Sequence, residues 1–307
     1  MRKDVKRMMS LFLPQTEMEV HDMTNITEMK AYEELEFRDD FMFGVTMEDK
    51  ELCHDVIECL TGEPVGELSD VVTQKEVRFT SDGKPIRLDI YTKDENAVYD
   101  AEMQNLNKKS VKSLQLPRRS RFYQASIDID YLNKNNRFST LPDSKILFIC
   151  TFDPFGEGLS EYTFRERCDE CPDLLLSDGT EKHFYNCCYE GEDIGEDLRK
   201  LYEYINKGTI SSGLTQRIDD AVRIARKNEV WRSAYMKERT IIMDAIEEER
   251  IKAEEANKRA EEANKRAEED RKKTAEANKR AEEDRKRAEK AEARVKELEA
   301  LLADRKA

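Results

Sequence analysis

Lys84–Gln104, KPIRLDIYTKDENAVYDAEMQ, reads as two β-strands joined by a polar turn. Ile86, Leu88 and Ile90 alternate with Arg87, Asp89 and Tyr91, the period of a half-buried strand. Lys93-Asp94-Glu95-Asn96 is a run of turn formers. The chain then returns through Val98–Gln104, where Asp100, Glu102 and Gln104 share one face. A carboxylate on the first strand can therefore meet a carboxylate and an amide on the second, around a space the size of a metal ion.

Two carboxylates that close repel each other unless a cation lies between them. Mg²⁺ suits such a place, since it accepts one or two carboxylates and keeps several waters. A bound ion of this kind polarises a phosphodiester and acidifies an attacking water. By itself a short D…ExQ motif is weak, and both acids could be solvent-face residues of an ordinary hairpin. The wider set of segments is more specific: RLDIY at 87–91, DAEMQ at 100–104 and LPRRSRFYQ at 116–124. Together they resemble the PD-(D/E)XK nuclease-family transposases, also called recombination-promoting nucleases, with Gln104 where a Lys usually stands.

The resemblance implies an α/β fold of the restriction-endonuclease kind, a mixed sheet flanked by helices. It implies a Mg²⁺- or Mn²⁺-dependent endonuclease acting on DNA, linked to recombination or mobile elements. Asp89 and Glu102 would hold the ion. Asp40, in the segment Arg38–Gly44, would assist them, with Asp39 in reserve and helix capping as the plain alternative for both. Gln104 would orient the attacking water or a phosphate oxygen. A neutral side chain there cannot stabilise developing negative charge as a Lys would, so slow catalysis is expected. Arg119, Arg121 and Tyr123 match the family's Arg-rich segment, although Phe122 stands where Tyr is common. With Lys108, Lys109 and Lys112 they would grip the DNA backbone.

Charge argues partly against that partner. The chain has 307 residues and a net charge of −14. Residues 247–307 contain 19 Lys/Arg and 19 Asp/Glu, so the whole excess lies in residues 1–246, with 34 basic and 48 acidic residues. A nucleic-acid protein usually shows a basic footprint. Here the footprint is confined to 105–121, which has six basic residues and no acidic one. Tight, sequence-independent DNA binding is not expected. Met8–Leu13 is too short for a signal h-region, and no run approaches a membrane span. Seven scattered Cys suit reduced thiols, so a cytoplasmic protein is expected. Cys168-x2-Cys171 with His183 and Cys187-Cys188 raises a zinc site, though the spacings match no standard knuckle.

Three regions are expected: a flexible segment over 1–30, a nuclease-like domain over 31–246, and a long charged helix over 247–307. In the domain, a helix carrying Phe41, Phe43 and Val45 precedes one over Lys50–Thr61 that stops at Gly62 and Pro64. Val71–Thr80 reads as a strand, Pro117 starts a helix, and Lys145–Thr151 reads as a strand covered on both sides. Glu161–Phe164 and Phe184–Asn186 suit strands, and Ile194–Asn206 a helix. Trp231 is expected to pack the last helix onto the domain.

Residues 253–301 repeat every seven residues, with Ala at most a and d positions and Asp270 and Asp284 at two d positions. That seam should associate weakly at best. Its i,i+4 pairs, such as Glu254 with Lys258 and Glu261 with Lys265, favour a long solvated helix. A spacer, self-association, or a partner helix along 253–302 are the roles open to it. The rival to the enzyme is accordingly a catalytically silent nuclease-fold protein that binds a partner through this helix.

Overall fold

The computed structural model describes residues 30–77, 86–105, 115–132 and 137–304. The expectations for residues 1–29, Lys108, Lys109 and Lys112 lie outside them. The chain divides into two compact units, residues 1–245 and 246–307.

The first unit is built on a mixed six-stranded sheet in the order β1-β2-β3-β4-β6-β5. Its strands are β1 (Val72–Val77), β2 (Ile86–Lys93), β3 (Ala97–Gln104), β4 (Asp143–Cys150), β5 (Glu161–Phe164) and β6 (Thr180–Asn186). β3 pairs with β4, and β4 with β6, in parallel; the remaining pairs are antiparallel. The β2–β3 turn closes through Asp94, whose carboxylate accepts from the backbone of Asn96 and Ala97.

Helices cover both faces. On one lie α1 (Asp40–Met47), α2 (Lys50–Thr61), α4 (Glu196–Lys207), α5 (Gly213–Arg226) and the start of α6 (Glu229–Asp304). On the other lies α3 (Leu116–Leu132). α2 has the bounds expected from its sequence. Asp49 caps its first turn by accepting from Glu51 N and Leu52 N, and Gly62, at φ 65°, ends it in the left-handed conformation. Leu52, Cys53, Val56, Ile57 and Leu60 form its buried stripe. Trp231 packs partly buried against the same core. β3 is buried at all eight positions, so the shared face of Asp100, Glu102 and Gln104 lies inside the unit, away from the simple alternation of a strand with one wet face.

Alternation also fails in β2. Thr73 faces Ile90 and Lys75 faces Leu88, but Gln74 and Asp89 between them are missing from the ladder. Gln74 adopts φ 51°, a left-handed value that breaks the period of two. As a result Leu88 packs in the core under α3, while Ile90 packs in the opposite core under α1 and α2. The expectation that Leu88 and Ile90 share a face is corrected by this irregularity, which falls at Asp89.

In the second unit, residues 246–304 are helical, roughly 90 Å of helix at the usual rise. Almost every side chain described there is exposed, including the Ala residues of the a and d seam from Ala256 to Ala291. No helix among the described residues is long and apolar enough to cross a membrane.

Candidate functional site

The break at Asp89 shapes the site. The last regular pair between β2 and β3 is Ile90 with Ala101. One residue further on, side chains take over the hydrogen bonding. Asp89 N donates to Glu102 Oε1 at 2.9 Å, and Met103 N donates to Asp89 Oδ2 at 3.3 Å. Asp89 thus directs its carboxylate between the strands. Glu102 and Gln104 lie on the face covered by α3, where Arg119 meets both. Arg119 Nη2 donates to Glu102 Oε2 at 3.1 Å, and Nη1 donates to Gln104 Oε1 at 2.9 Å. Arg119 is in turn held by Tyr123 one helical turn later, through Nε and Nη2 to the phenol oxygen at 3.1 and 2.7 Å.

Asp100 lies on the same face and is wholly buried, and neither of its carboxylate oxygens has a hydrogen-bond partner among the described residues. Glu102 is 1% exposed, while Asp89 is only partly buried. Burial, the charge of Glu102 and the charge of Asp40 push the Asp89 carboxyl well above the usual range. Burial and the neighbouring Asp100 push Glu102 up to about 8, against the opposing charge of Arg119. Burial and Asp89 raise Asp100 likewise. Lys75 acts on Asp100 too, but it is paired with Asp130 at 2.9 Å. Three carboxyls therefore act on one another here, with Arg119 paired to Glu102 and the charges of Arg87 and Lys75 felt at Asp89 and Asp100.

A second charged group adjoins the first. Arg87 Nη2 donates to Asp40 Oδ2 at 3.0 Å and Nη1 to Glu238 Oε1 at 3.5 Å. Asp40 is the first residue of α1. Asp39 precedes it without capping the helix; its carboxylate instead accepts from Glu36 N, Lys30 Nζ and Asn105 Nδ2. Of the two, Asp40 is the one whose charge is felt at Asp89 and Glu102.

No family model, curated protein or solved structure matches the chain.

Among the described residues, no group of three His, Cys, Asp or Glu side chains is arranged to hold one metal ion. The donors at Asp89 and Glu102 fit a smaller requirement. They are two hard oxygen ligands in a cluster of three acids, and Asp100 beside them is buried with both oxygens unpartnered among the described residues. A divalent cation held by two carboxylates and otherwise by water would balance that charge.

Asp89 is thus tied directly to Glu102, Gln104 is joined to Glu102 through Arg119, and Asp40 is paired with Arg87. Arg119 and Tyr123, expected on the DNA backbone, turn inward instead: Tyr123 is buried, and Arg119 is occupied with Glu102 and Gln104. Arg121 is exposed. The reason is the helical period, which places residues 119 and 123 on the side of α3 facing the sheet and 121 away from it.

The zinc set does not assemble. His183 lies between Glu161 at 2.7 Å and Glu181 at 3.0 Å. Cys187 is buried, Cys188 Sγ donates to the Thr151 carbonyl at 2.8 Å, and Cys171 is exposed. Glu238 escaped the sequence reading, while Asp100 entered it without a role and Arg119 with a different one. The part of Asp100 could have been found from its shared face with Glu102, and that of Arg119 from its spacing to Tyr123. Glu238 carried no signal, since it meets Arg87 from 151 residues away.

Proposed function

We propose that residues 30–245 act as a divalent-metal-dependent endonuclease on DNA phosphodiesters, of the PD-(D/E)XK kind that the RLDIY, DAEMQ and LPRRSRFYQ segments resemble. The observation that carries this reading is the excess of carboxyls at Asp89, Asp100 and Glu102 over the cations that act on them, since Arg87 and Lys75 already pair with Asp40 and Asp130 while Arg119 pairs with Glu102. Proteins seldom crowd carboxylates without a cation to match or chemistry to use them. Asp89 and Glu102 would hold Mg²⁺ or Mn²⁺. When bound, such an ion polarises a phosphodiester and makes an attacking water more acidic.

The chain's own groups do the positioning. The bond from Asp89 N to Glu102 Oε1 ties the two acids across neighbouring strands. Partial exposure of Asp89 gives a ligand its approach, and burial of Glu102 keeps the far side of the cluster dry. Asp40 lies on the outer side and is held by Arg87.

A nicking assay on supercoiled plasmid with Mg²⁺ or Mn²⁺ tests this, comparing wild type with Asp89→Ala and Glu102→Ala. Nicking should fall by about 100-fold or more in each, at least the loss seen when a metal site is deprived of a supporting group. Equal nicking by all three proteins would point to contamination and end the proposal.

One observation favours a second reading, a silent scaffold that binds a partner through the C-terminal helix. Glu102 and Gln104 already have protein partners in Arg119, and the helix from 246 onward presents an exposed surface along its length. The same assay separates the two readings. Joined rather than nicked products would instead indicate strand transfer.

A further inference from the structure

We infer that Arg119, from α3, is the catalytic cation of this site and takes over the charge that the neutral Gln104 cannot supply; the inference rests on the endonuclease reading above. The guanidinium lies one hydrogen bond, 2.9 Å, beyond Gln104 Oε1 and 3.1 Å from Glu102 Oε2. That is the neighbourhood a cation reaching inward from position 104 would occupy. The charge arrives from a helix packed on the sheet rather than from the strand itself.

Arg119 is also built to hold still. A guanidinium carries five N–H donors. Four of its bonds go to Gln104, Glu102 and, twice, Tyr123. The second N–H of Nη1 has no partner among the described residues. With the Arg119 side chain 28% exposed, that donor can reach a phosphate oxygen without undoing the other bonds. Behind it, Tyr123 is buried and stacks on Phe148, with ring centroids 6.1 Å apart at 15°. Phe148 stacks on Phe184 at 5.0 Å and 4°. The guanidinium carbon lies 5.4 Å from the Tyr123 ring and 5.7 Å from the Phe148 ring. A donor fixed in advance beside the place where negative charge develops stabilises a transition state without reorganising. A planar guanidinium also matches phosphate geometry and remains protonated at any working pH.

The bland alternative is that Arg119 merely neutralises Glu102. Moving the charge distinguishes the two. Arg119→Met should lower nicking by roughly 100- to 1,000-fold, the range for losing one fixed oxyanion donor. Its affinity for a non-cleavable phosphorothioate duplex, read by fluorescence anisotropy, should change by less than about 10-fold, since only one N–H faces the ligand. The double variant Arg119→Met/Gln104→Lys returns a cation from the strand and should recover at least about 10-fold of the lost rate.

Wild-type nicking by Arg119→Met would overturn the inference. So would a double variant that unfolds at the wild-type temperature yet nicks no faster than the single one. Should Arg119→Met not fold, Arg119→Lys decides. It keeps the charge and should stay within about 10-fold of wild type, and a complete loss in a folded Lys variant would count against the role. Asp89→Ala in the same series separates the failures. If it nicks normally, the endonuclease reading falls; if it is dead while Arg119→Met is active, only the role of Arg119 falls.

Discussion

In residues 30–245 the ion pairs at the site join distant parts of the chain. Arg87 reaches Glu238 across 151 residues, and Arg119 reaches Glu102 across 17. From residue 246 the pairs are local instead, as in Arg250 with Glu247, Lys272 with Glu268 and Arg285 with Glu289, all at i,i+3 or i,i+4. The two kinds of pair do different work. An exposed i,i+4 pair adds about 0.2–0.5 kcal/mol to a helix that would form anyway, and salt screens it. A pair that is buried at one end fixes a helix against a sheet, and losing one partner strands a charge away from water.

That contrast can be broken most sharply in the core. Phe148 lies on the central strand β4, fully buried between Tyr123 and Phe184. Phe148→Ala should destabilise the first unit by about 4 kcal/mol in urea unfolding followed by Trp231 fluorescence. Far-ultraviolet dichroism should show the helix of residues 246–304 persisting beyond that transition. One cooperative loss of both signals would mean the two regions are not independent.

Next in size is Arg119→Ala, which leaves the buried Glu102 without its guanidinium. Glu102, already pushed up to about 8, then keeps its proton, so a loss of about 2 kcal/mol is expected in the same experiment, from the buried oxygens of Glu102 and Gln104 left without their donor. A cost below about 1 kcal/mol would show that this pair behaves like those of the tail.

A milder effect is expected at Glu181. Burial alone would raise its carboxyl, but hydrogen bonds from Arg165 and His183 and the charge of Lys145 hold it down at about 2. A carboxylate depressed in the folded state stabilises the fold above its ordinary value near 4.5. That contribution is lost as the pH falls from there through about 2. Glu181→Gln should therefore flatten the fall in unfolding temperature across this acid range and leave its slope near neutrality unchanged. An unaltered acid limb would remove the network from the account.

The smallest change belongs to the tail. Ala267→Gly sits in an exposed helix and should cost about 1 kcal/mol of local helix stability. It should appear as a loss of helical dichroism at moderate temperature, with the unfolding of the first unit unmoved. A shift in that unfolding would show that the seam touches something the local pairs do not reveal.

Much of the fold was legible because it depends on neighbours in sequence. The stop at Gly62 and Pro64 marks the end of α2, and the helix over Lys50–Thr61 has the bounds read from the sequence. Asp94 marks the β2–β3 turn, and the seven-residue repeat marks the tail helix. The site was legible in part: Asp89 meets Glu102 because strands joined by a short turn must pair, while Gln104 reaches Glu102 only through Arg119. Their environment was not legible. Alternation placed Leu88 with Ile90 and gave no warning of the left-handed Gln74 that separates them. A basic run suggested an outward grip for Arg119, whereas the period of α3 turns it onto Glu102.

The sequence alone determined the helices and strands, the turn between the acid-bearing strands, and the charge-laced tail, since each rests on interactions within a few residues. Only the tertiary structure decided that Asp100 is buried without a partner among the described residues, that Arg87 is shared between Asp40 and Glu238, and that Arg119 closes over Glu102 and Gln104. Burial and charge pairing depend on which distant segments pack together, and no local pattern in the chain encodes that distance.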